Sequence, residues 1–193
     1  MRRPIPLILP LFRRNFHHRS IRALYGTIVA QARSAAFYAI YGVPDTMPAR
    51  FDLIVLHLVL VLRRLVRDGD SPASHGRGLG QGLFDAFCRD LDDNLREMGV
   101  GDLAVPKEMR RFGEAFYGRQ AAYHAAIVSA DPRELEKALA RNIFGVADAD
   151  DRVIRLAGYV RAVIEELDIE DERALVSGVV SFPKPESFAY APT

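Results

Sequence analysis

Acidic side chains are concentrated on one stretch of the chain, and clustered carboxylates serve as ligands of divalent cations and as catalytic acids and bases. The residues are Asp90, Asp92, Asp93 and Glu97. A calcium loop that begins at Asp90 needs glycine where Leu95 stands and glutamate where Gly101 stands, so the spacing excludes that site. We therefore predict no metal ligands here, and an acidic surface that faces solvent or a partner.

Other signatures of catalysis are absent from the sequence. No Glu-x-x-His pair marks a di-metal helical bundle, and no Gly-x-Ser-x-Gly elbow marks a serine nucleophile. The spacing Gly76-x-Gly78-x-Gly80 is typical of phosphate loops, but no strand precedes it and no Gly-Lys-Ser/Thr follows. We predict that residues 68–82 form a flexible connection instead.

Two single residues are candidates for chemistry because of their type. His57 lies within a continuous apolar run, where a lone histidine is most often a hydrogen-bonded core residue. No Cys-x-x-Cys-His pattern accompanies it, so we predict no haem and no other cofactor. Cys88 is the one cysteine in the sequence, so it cannot form an internal disulfide. The lack of disulfides indicates a reducing compartment, and we interpret Cys88 as a small core residue.

Helical periodicity indicates the elements that carry these residues. The 193 residues are 49% apolar and lack hairpin turns and sustained alternation, which predicts an all-α fold: a single-domain helical bundle of about six to seven helices. Phe84, Phe87, Leu91, Leu95 and Met98 line one face of a long helix. Gly99 then ends that helix, and Pro106 begins the next after a tight corner.

The most apolar helix is predicted at the centre of the bundle. Nearly every residue from Leu53 to Leu62 is apolar, so this helix has no polar face. About twelve residues are too few to span a bilayer. Pro44 and Pro48 separate it from an earlier helix, for which Ser20 is the predicted cap.

Charge is divided unevenly along the chain. Residues 1–67 contain eleven Arg and Lys but two Asp and Glu, a net charge of +9, which leaves −8 for residues 68–193. This division favours contact with an anionic membrane surface or RNA, although the two parts also can neutralise each other within the fold. Residues 1–19 are predicted to form a basic and apolar arm. This arm lies in a membrane interface, docks on the helical domain or is disordered. Residues 20–176 are predicted to form the helical domain, and residues 177–193 an extended tail.

Three blocks of the sequence, in the same order, resemble the ubiquinol–cytochrome c chaperone family. The blocks are residues 29–65, 95–109 and 112–123, within a similar region from about residue 24 to 127. The resemblance implies a bacterial chaperone, not an enzyme, that binds newly made cytochrome b and assists assembly of the cytochrome bc1 complex. It also implies a small partner chaperone and contact with the ribosome, and a cytoplasmic protein peripheral to the inner face of the inner membrane.

Residues that match the family blocks become candidate contacts for the client or a partner. We expect an apolar groove bordered by the ionic corner of Arg96, Glu97, Asp102 and Arg119. Tyr38, Phe116 and Tyr117 are the expected exposed aromatic anchors. Alternatively, the charged side chains of the corner form salt bridges with one another that stabilise the corner within the protein. The full set of candidates is Gln31, Arg33, Tyr38, Asp45, Arg50, Arg96, Glu97, Gly99, Asp102, Phe116, Tyr117 and Arg119.

Two other classes of function remain as alternatives at this stage. A helical module that binds RNA or the ribosome would use the basic first 67 residues, and its affinity would depend on salt. A metal-dependent helical-bundle enzyme would use Asp90, Asp92 and Asp93, and would contain stoichiometric metal.

Overall fold

The computed structural model describes residues 9–67 and 76–188, and the side chains from residue 18 onward within those ranges. The described chain is helical and contains no β-strand, which confirms the predicted all-α bundle. The helices are α1 (Leu9–Ala32), α2 (Ala35–Ala39), α3 (Met47–Arg67), α4 (Gly76–Glu97), α5 (Val105–Val128), α6 (Arg133–Leu139), α7 (Asp151–Ile169) and α8 (Glu172–Ser177). A π-helical turn (Ala140–Phe144) extends α6, and a 3-10 turn (Pro185–Phe188) follows α8.

Helix α3 is the centre of the bundle, as predicted. Every residue from Asp52 to Leu62 is buried, because α1, α4, α5 and α7 all pack against this helix. Surrounding an apolar helix on all sides removes the largest possible apolar area from water. None of the described helices is both long enough and apolar enough to cross a membrane.

His57 is a hydrogen-bonded core residue, as predicted. Its Nδ1 lies 2.7 Å from the carbonyl oxygen of Leu53, and its Nε2 lies 2.8 Å from the hydroxyl of Tyr159. The Tyr159 hydroxyl accepts from Nε2 of Gln31 at 2.9 Å, so it donates its own proton to His57, whose Nδ1–H then donates to Leu53. Burial lowers the pKa of His57 to about 4, which keeps the ring neutral at physiological pH.

Gln31 also ties the C-terminal segment to the core. Its amide donates to the carbonyl oxygen of Pro183 at 3.1 Å, and the hydroxyl of Tyr41 donates to that of Pro185 at 2.7 Å. Phe182 and Phe188 pack against the same core. The expected tail began at Ser177, but that residue ends α8. The segment that follows, residues 178–188, is docked on the bundle, and residues 189–193 lie outside the described chain.

The glycine-rich stretch is not a flexible connection throughout, because α4 already begins at Gly76. A Cβ at Gly76 would lie 2.5 Å from the carbonyl oxygen of Leu65, so glycine lets α4 start in direct contact with the end of α3. The prediction of a loop over 76–82 was wrong because glycine has low helix propensity, and tertiary packing overrides that preference. The remainder, residues 68–75, lies outside the described chain.

Helix α1 is longer than predicted. It begins at Leu9, so Ser20 lies inside the helix instead of capping it. Ser20 is 2% exposed and lies against the chain at Gly178, which explains why a small residue is accommodated there. The expected boundary of the N-terminal arm at residue 19 therefore falls within α1, and residues 1–8 lie outside the described chain.

Alanine substitutions at two neighbouring glycines of α4 test this packing. Gly76→Ala should destabilise the protein by roughly 1–3 kcal/mol, because the new methyl group meets the backbone of α3. Gly78→Ala is the matched control; no atom lies within 4 Å of its Cβ position, and the helix propensity of alanine should add roughly 0.5–1 kcal/mol. Chemical denaturation measures both, and equal effects would contradict the close contact.

Removal of the Gln31 amide tests the buried hydrogen-bond chain. Gln31→Ala leaves the buried Tyr159 hydroxyl and the Pro183 carbonyl without their donor, and should cost roughly 1–3 kcal/mol of unfolding free energy. Gln81→Ala is the control, because Gln81 donates to Asp85 on the exposed face of α4 and should matter by less than about 0.5 kcal/mol. Similar denaturation midpoints for the two variants would rule out the chain as a stabilising element.

Candidate binding cleft

An open cleft lies between the first half of α3, the second half of α4 and the first half of α5. Its volume is about 500 Å³. Its apolar walls are formed by Met47, Phe51, Ile54, Leu91, Leu95, Met98 and Phe112. Charged residues of both signs complete the lining: Arg33, Arg50, Asp52, Asp90, Glu108, Arg111 and Arg119. A largely apolar trough with charges at its floor and rim is the usual form of a protein-binding groove.

The α4–α5 corner shapes one end of the cleft. Gly99 has φ +80°, and the backbone N–H of Val100 donates to the carbonyl oxygen of Leu95, which ends α4 in a left-handed turn. Arg96 bonds Asp92 at 2.7 Å on its own helix and also pairs with Asp102 beyond the turn. The predicted corner, with its internal ionic contacts, is therefore present at the edge of the cleft.

Apolar side chains project from this corner into solvent. Leu103 is 99% exposed and Met98 is 58% exposed, while Met47 on the opposite wall is 61% exposed. Met47 and Met98 line the cleft, whereas Leu103 does not, so two of these exposed side chains extend its apolar wall. Two of the three are methionines, whose flexible thioether side chains adapt to different partners.

A row of aromatic rings forms a rigid base beneath the cleft. The Phe51 ring centroid lies 5.0 Å from that of Phe112 and 6.0 Å from that of Phe87. The row continues from Phe87 to Phe116 at 5.7 Å and from Phe116 to Phe84 at 4.8 Å. Tilted rings at these separations pack tightly and resist movement, so the base of the cleft is preformed.

An ion pair lies at the polar floor of the cleft. Nε of Arg119 lies 2.7 Å from Oδ1 of Asp52, and the guanidinium lies 5.6 Å from the centre of the Phe51 ring. Asp52 is only 6% exposed. Burial outweighs the attraction of Arg119 and raises the pKa of Asp52 to about 6.

The candidate residues fall into three groups in the structure. Arg33, Arg50 and Arg119 line the cleft, and Arg50 bonds Asp45 at 2.7 Å beside Tyr38. The corner residues Arg96, Glu97, Gly99 and Asp102 border the cleft but do not line it. The amide of Gln31 is used inside the fold.

The expectation that Phe116 is an exposed aromatic anchor was wrong. Phe116 is 1% exposed, because its ring is enclosed by Phe84, Phe87 and Tyr117 in the aromatic row. Tyr117 is 59% exposed, but it lines a second cleft and not the first. Sequence reasoning did not name Met47 and Phe112, which line the first cleft, as candidates.

The second cleft lies between the second halves of α3 and α5 and has a volume of about 610 Å³. It is lined by Val59, Leu62, Arg63, Val66, Tyr117, Gln120, Ala121, His124 and Ile127. The two clefts are lined by opposite sides of α5. The first cleft is lined by Phe112, Ala115 and Arg119, and the second by Tyr117, Ala121 and His124.

The acidic residues of α4 serve as partners within the protein. Asp90 accepts a hydrogen bond from the hydroxyl of Tyr25 at 2.8 Å, and Asp92 pairs with Arg96. In the described ranges, no group of three or more His, Cys, Asp or Glu side chains is arranged to hold a metal ion. Cys88 is partly buried against the core, and burial raises the pKa of its thiol.

The fold and the cleft define the class as an all-α helical bundle with an open, largely apolar cleft. The model of the ubiquinol–cytochrome c chaperone family matches residues 39–182. This chain therefore belongs to that family, whose members are chaperones and not enzymes. The family predicted from the three sequence blocks is confirmed.

Named relatives and a solved structure agree with this assignment. The human protein called ubiquinol–cytochrome c reductase complex assembly factor 1 is 29% identical over 161 residues, 82% of this chain and 52% of its own length. The Drosophila melanogaster protein of that name is 27% identical over 148 residues, 75% of this chain and 56% of its own. The chain thus spans about half the length of these relatives. The crystal structure of the Cbp3 homolog from Brucella abortus matches with a TM-score of 0.81 and 37% identity, covering 93% of this chain and 98% of that one.

The pH dependence of stability tests the buried carboxyl of Asp52. A raised pKa means that the native state binds this proton more tightly than the unfolded state, whose pKa is near 3.8. The stability contributed by protonated Asp52 is therefore full below about pH 4 and is lost as the pH rises through 6. Relative to Asp52→Asn, the wild type should lose about 2 kcal/mol between pH 4 and pH 7. A difference that stays constant over this range would show that Asp52 is not desolvated.

Proposed function

We propose that this protein is an assembly chaperone for the cytochrome bc1 complex and that it holds newly made cytochrome b in the cleft between α3, α4 and α5. Membership of the chaperone family supports the class of function, and the names of the relatives support the target complex. The observation that carries the proposal is the largely apolar cleft, in whose lining Met47 and Met98 are exposed.

The chemistry of a membrane-protein client explains this construction. Cytochrome b exposes apolar segments before it is assembled, and such segments aggregate unless another apolar surface covers them. An amphipathic or apolar helix binds in a groove through side chains at positions i, i+3 or i+4, and i+7. Charged residues at the rim, such as Arg33 and Arg50, keep the empty groove hydrated around its apolar centre.

The location and further partners belong to the same proposal. The protein works in the cytoplasm at the inner face of the inner membrane of a bacterium, where its basic N-terminal part meets anionic lipid or the ribosome. A small partner chaperone binds it there. The net charge of +9 over residues 1–67 supports the anionic contact. Arg63 does not contribute, because it pairs with Asp168 inside the fold at 2.9 Å.

The alternative of an RNA-binding or ribosome-binding module uses the same basic residues without a client cleft. It predicts affinity for RNA that falls steeply with salt, and no effect of substitutions in the cleft. The alternative of a metal-dependent enzyme loses its basis, because Asp90 and Asp92 are engaged by Tyr25 and Arg96 and the family is not enzymatic.

Charged substitutions at the cleft test the proposal. In a strain that lacks the gene, the variant Met47→Glu with Met98→Glu should fail to restore cytochrome b, because both side chains line the cleft and a carboxylate there must be desolvated when the client binds. We expect ubiquinol–cytochrome c reductase activity and cytochrome b in membranes to fall about tenfold, which requires a loss of at least about 1.4 kcal/mol in client affinity.

The matched control is Ile169→Glu, because Ile169 is 86% exposed on α7 and lines neither cleft. It should restore assembly fully. Normal cytochrome b with the double variant at wild-type protein levels would contradict the proposal, as would loss of unrelated membrane proteins in the deletion strain.

A further inference from the structure

One side of α5 is exposed along most of the helix. Exposed residues on this side recur at alternating steps of four and three, the spacing by which one helix packs along another. They are Arg110, Glu114, Tyr117, Ala121, His124 and Val128, and together they form what we call the exposed line of α5. The line is about 27 Å long, which is enough for a second helix to pack along it.

The exposed line of α5 is self-complementary about its middle, near position 119. Tyr117 and Ala121 lie equal numbers of residues from this point, as do Glu114 and His124. In a twofold pair of antiparallel α5 helices, residue i of one copy faces residue j of the other, and residue j faces residue i. The large Tyr117 therefore faces the small Ala121, and the acidic Glu114 faces His124, whose ring can donate a hydrogen bond to it.

Contacts within the chain leave the Glu114 carboxylate available to a second copy. It lies 3.9 Å from the guanidinium of Arg110 on the same helix, and 72% of its side chain is exposed. An exposed ion pair at this distance contributes little to stability, so a closer partner can replace it at small cost.

The second cleft provides the space that such a pair of helices needs. Tyr117, Ala121 and His124 line this cleft together with one side of α3, and its volume is about 610 Å³. Tyr117 is 59% exposed beside it, and Val66 on the α3 side is 60% exposed. One patch thus contains both projecting apolar side chains and an apolar hollow, as a contact between two identical surfaces requires.

The charges in the second cleft also suit a contact between like copies. The lining residues that can carry a charge are Arg63 and His124, and Arg63 already pairs with Asp168 of its own chain at 2.9 Å. Homodimer interfaces are apolar and poor in charge at their centre, and they are enriched in tyrosine. The first cleft, lined by seven charged residues, has a different composition.

We propose that two copies of this chain associate through the exposed line of α5, with the two helices antiparallel and Tyr117 of each copy in the second cleft of the other. The first cleft is lined by the opposite side of α5, so this dimer leaves both first clefts open. The inference goes beyond the proposed function and does not depend on the identity of the client.

Analytical ultracentrifugation of the full chain over a series of concentrations measures the association. The wild type should form a dimer at micromolar concentrations. Ala121→Arg should weaken the dimer at least about tenfold, because its side chain fills the space that Tyr117 of the other copy occupies. Ile154→Arg is the matched control, because Ile154 is exposed on α7 and lines neither cleft; it should leave the association constant unchanged.

An exchange of charge between two positions tests the antiparallel arrangement. His124→Glu places two carboxylates against each other at both symmetry-related contacts and should weaken the dimer about tenfold. Glu114→Lys removes the acceptor for His124 and should weaken the dimer by a smaller factor. The combined variant places an ammonium group opposite a carboxylate and should restore the association constant to within about threefold of the wild type.

The outcomes decide the inference without touching the client cleft. Circular dichroism and thermal denaturation check the fold of each variant, which should persist because the substituted side chains are exposed. A wild-type chain that stays monomeric at all concentrations would overturn the inference and leave the second cleft to a different protein. A dimer that tolerates Ala121→Arg would overturn it as well, as would a loss in His124→Glu that Glu114→Lys does not restore.

Discussion

Burial of α3 on all sides is the constraint on which the rest of the structure depends. Between Asp52 and Leu62 this helix has two polar side chains, Asp52 and His57, and each needs a partner in an environment without water. His57 is satisfied within the core by Leu53 and Tyr159. Asp52, near the start of the helix, is paired with Arg119 at 2.7 Å and lies at the floor of an open cleft. The cleft thus lies at the end of the central helix where a buried carboxylate is held by an ion pair.

The second requirement is the corner beside the cleft. Gly99 turns the chain, and Arg96 pairs with Asp92 on α4 and with Asp102 beyond the turn, which ties the turn to the end of α4. These ionic contacts are exposed and individually weak. The aromatic row from Phe51 to Tyr117 packs beneath the cleft, so its base is preformed.

Much of this architecture was predictable from the sequence, because apolar periodicity determines which helix faces are buried. The all-α class, the central position of α3, the corner at Gly99 and the core role of His57 all followed from local pattern. The start of α4 and the burial of Phe116 did not, since both depend on contacts between distant segments: Leu65 against Gly76, and Phe84 against Phe116. Of the residues that line the cleft, the resemblance to the chaperone family identified Arg33, Arg50 and Arg119, but not the exposed methionines, since exposure depends on tertiary packing.

The most direct test of a client cleft is site-specific photo-crosslinking in cells that assemble the bc1 complex. A photoreactive amino acid at Met47 or Met98 should crosslink to cytochrome b, because these side chains line the cleft and are exposed. The same amino acid at Ile154 or Val179, which are exposed elsewhere, should not. Crosslinks to cytochrome b from Ile154 or Val179, with none from the cleft positions, would contradict this account of the protein.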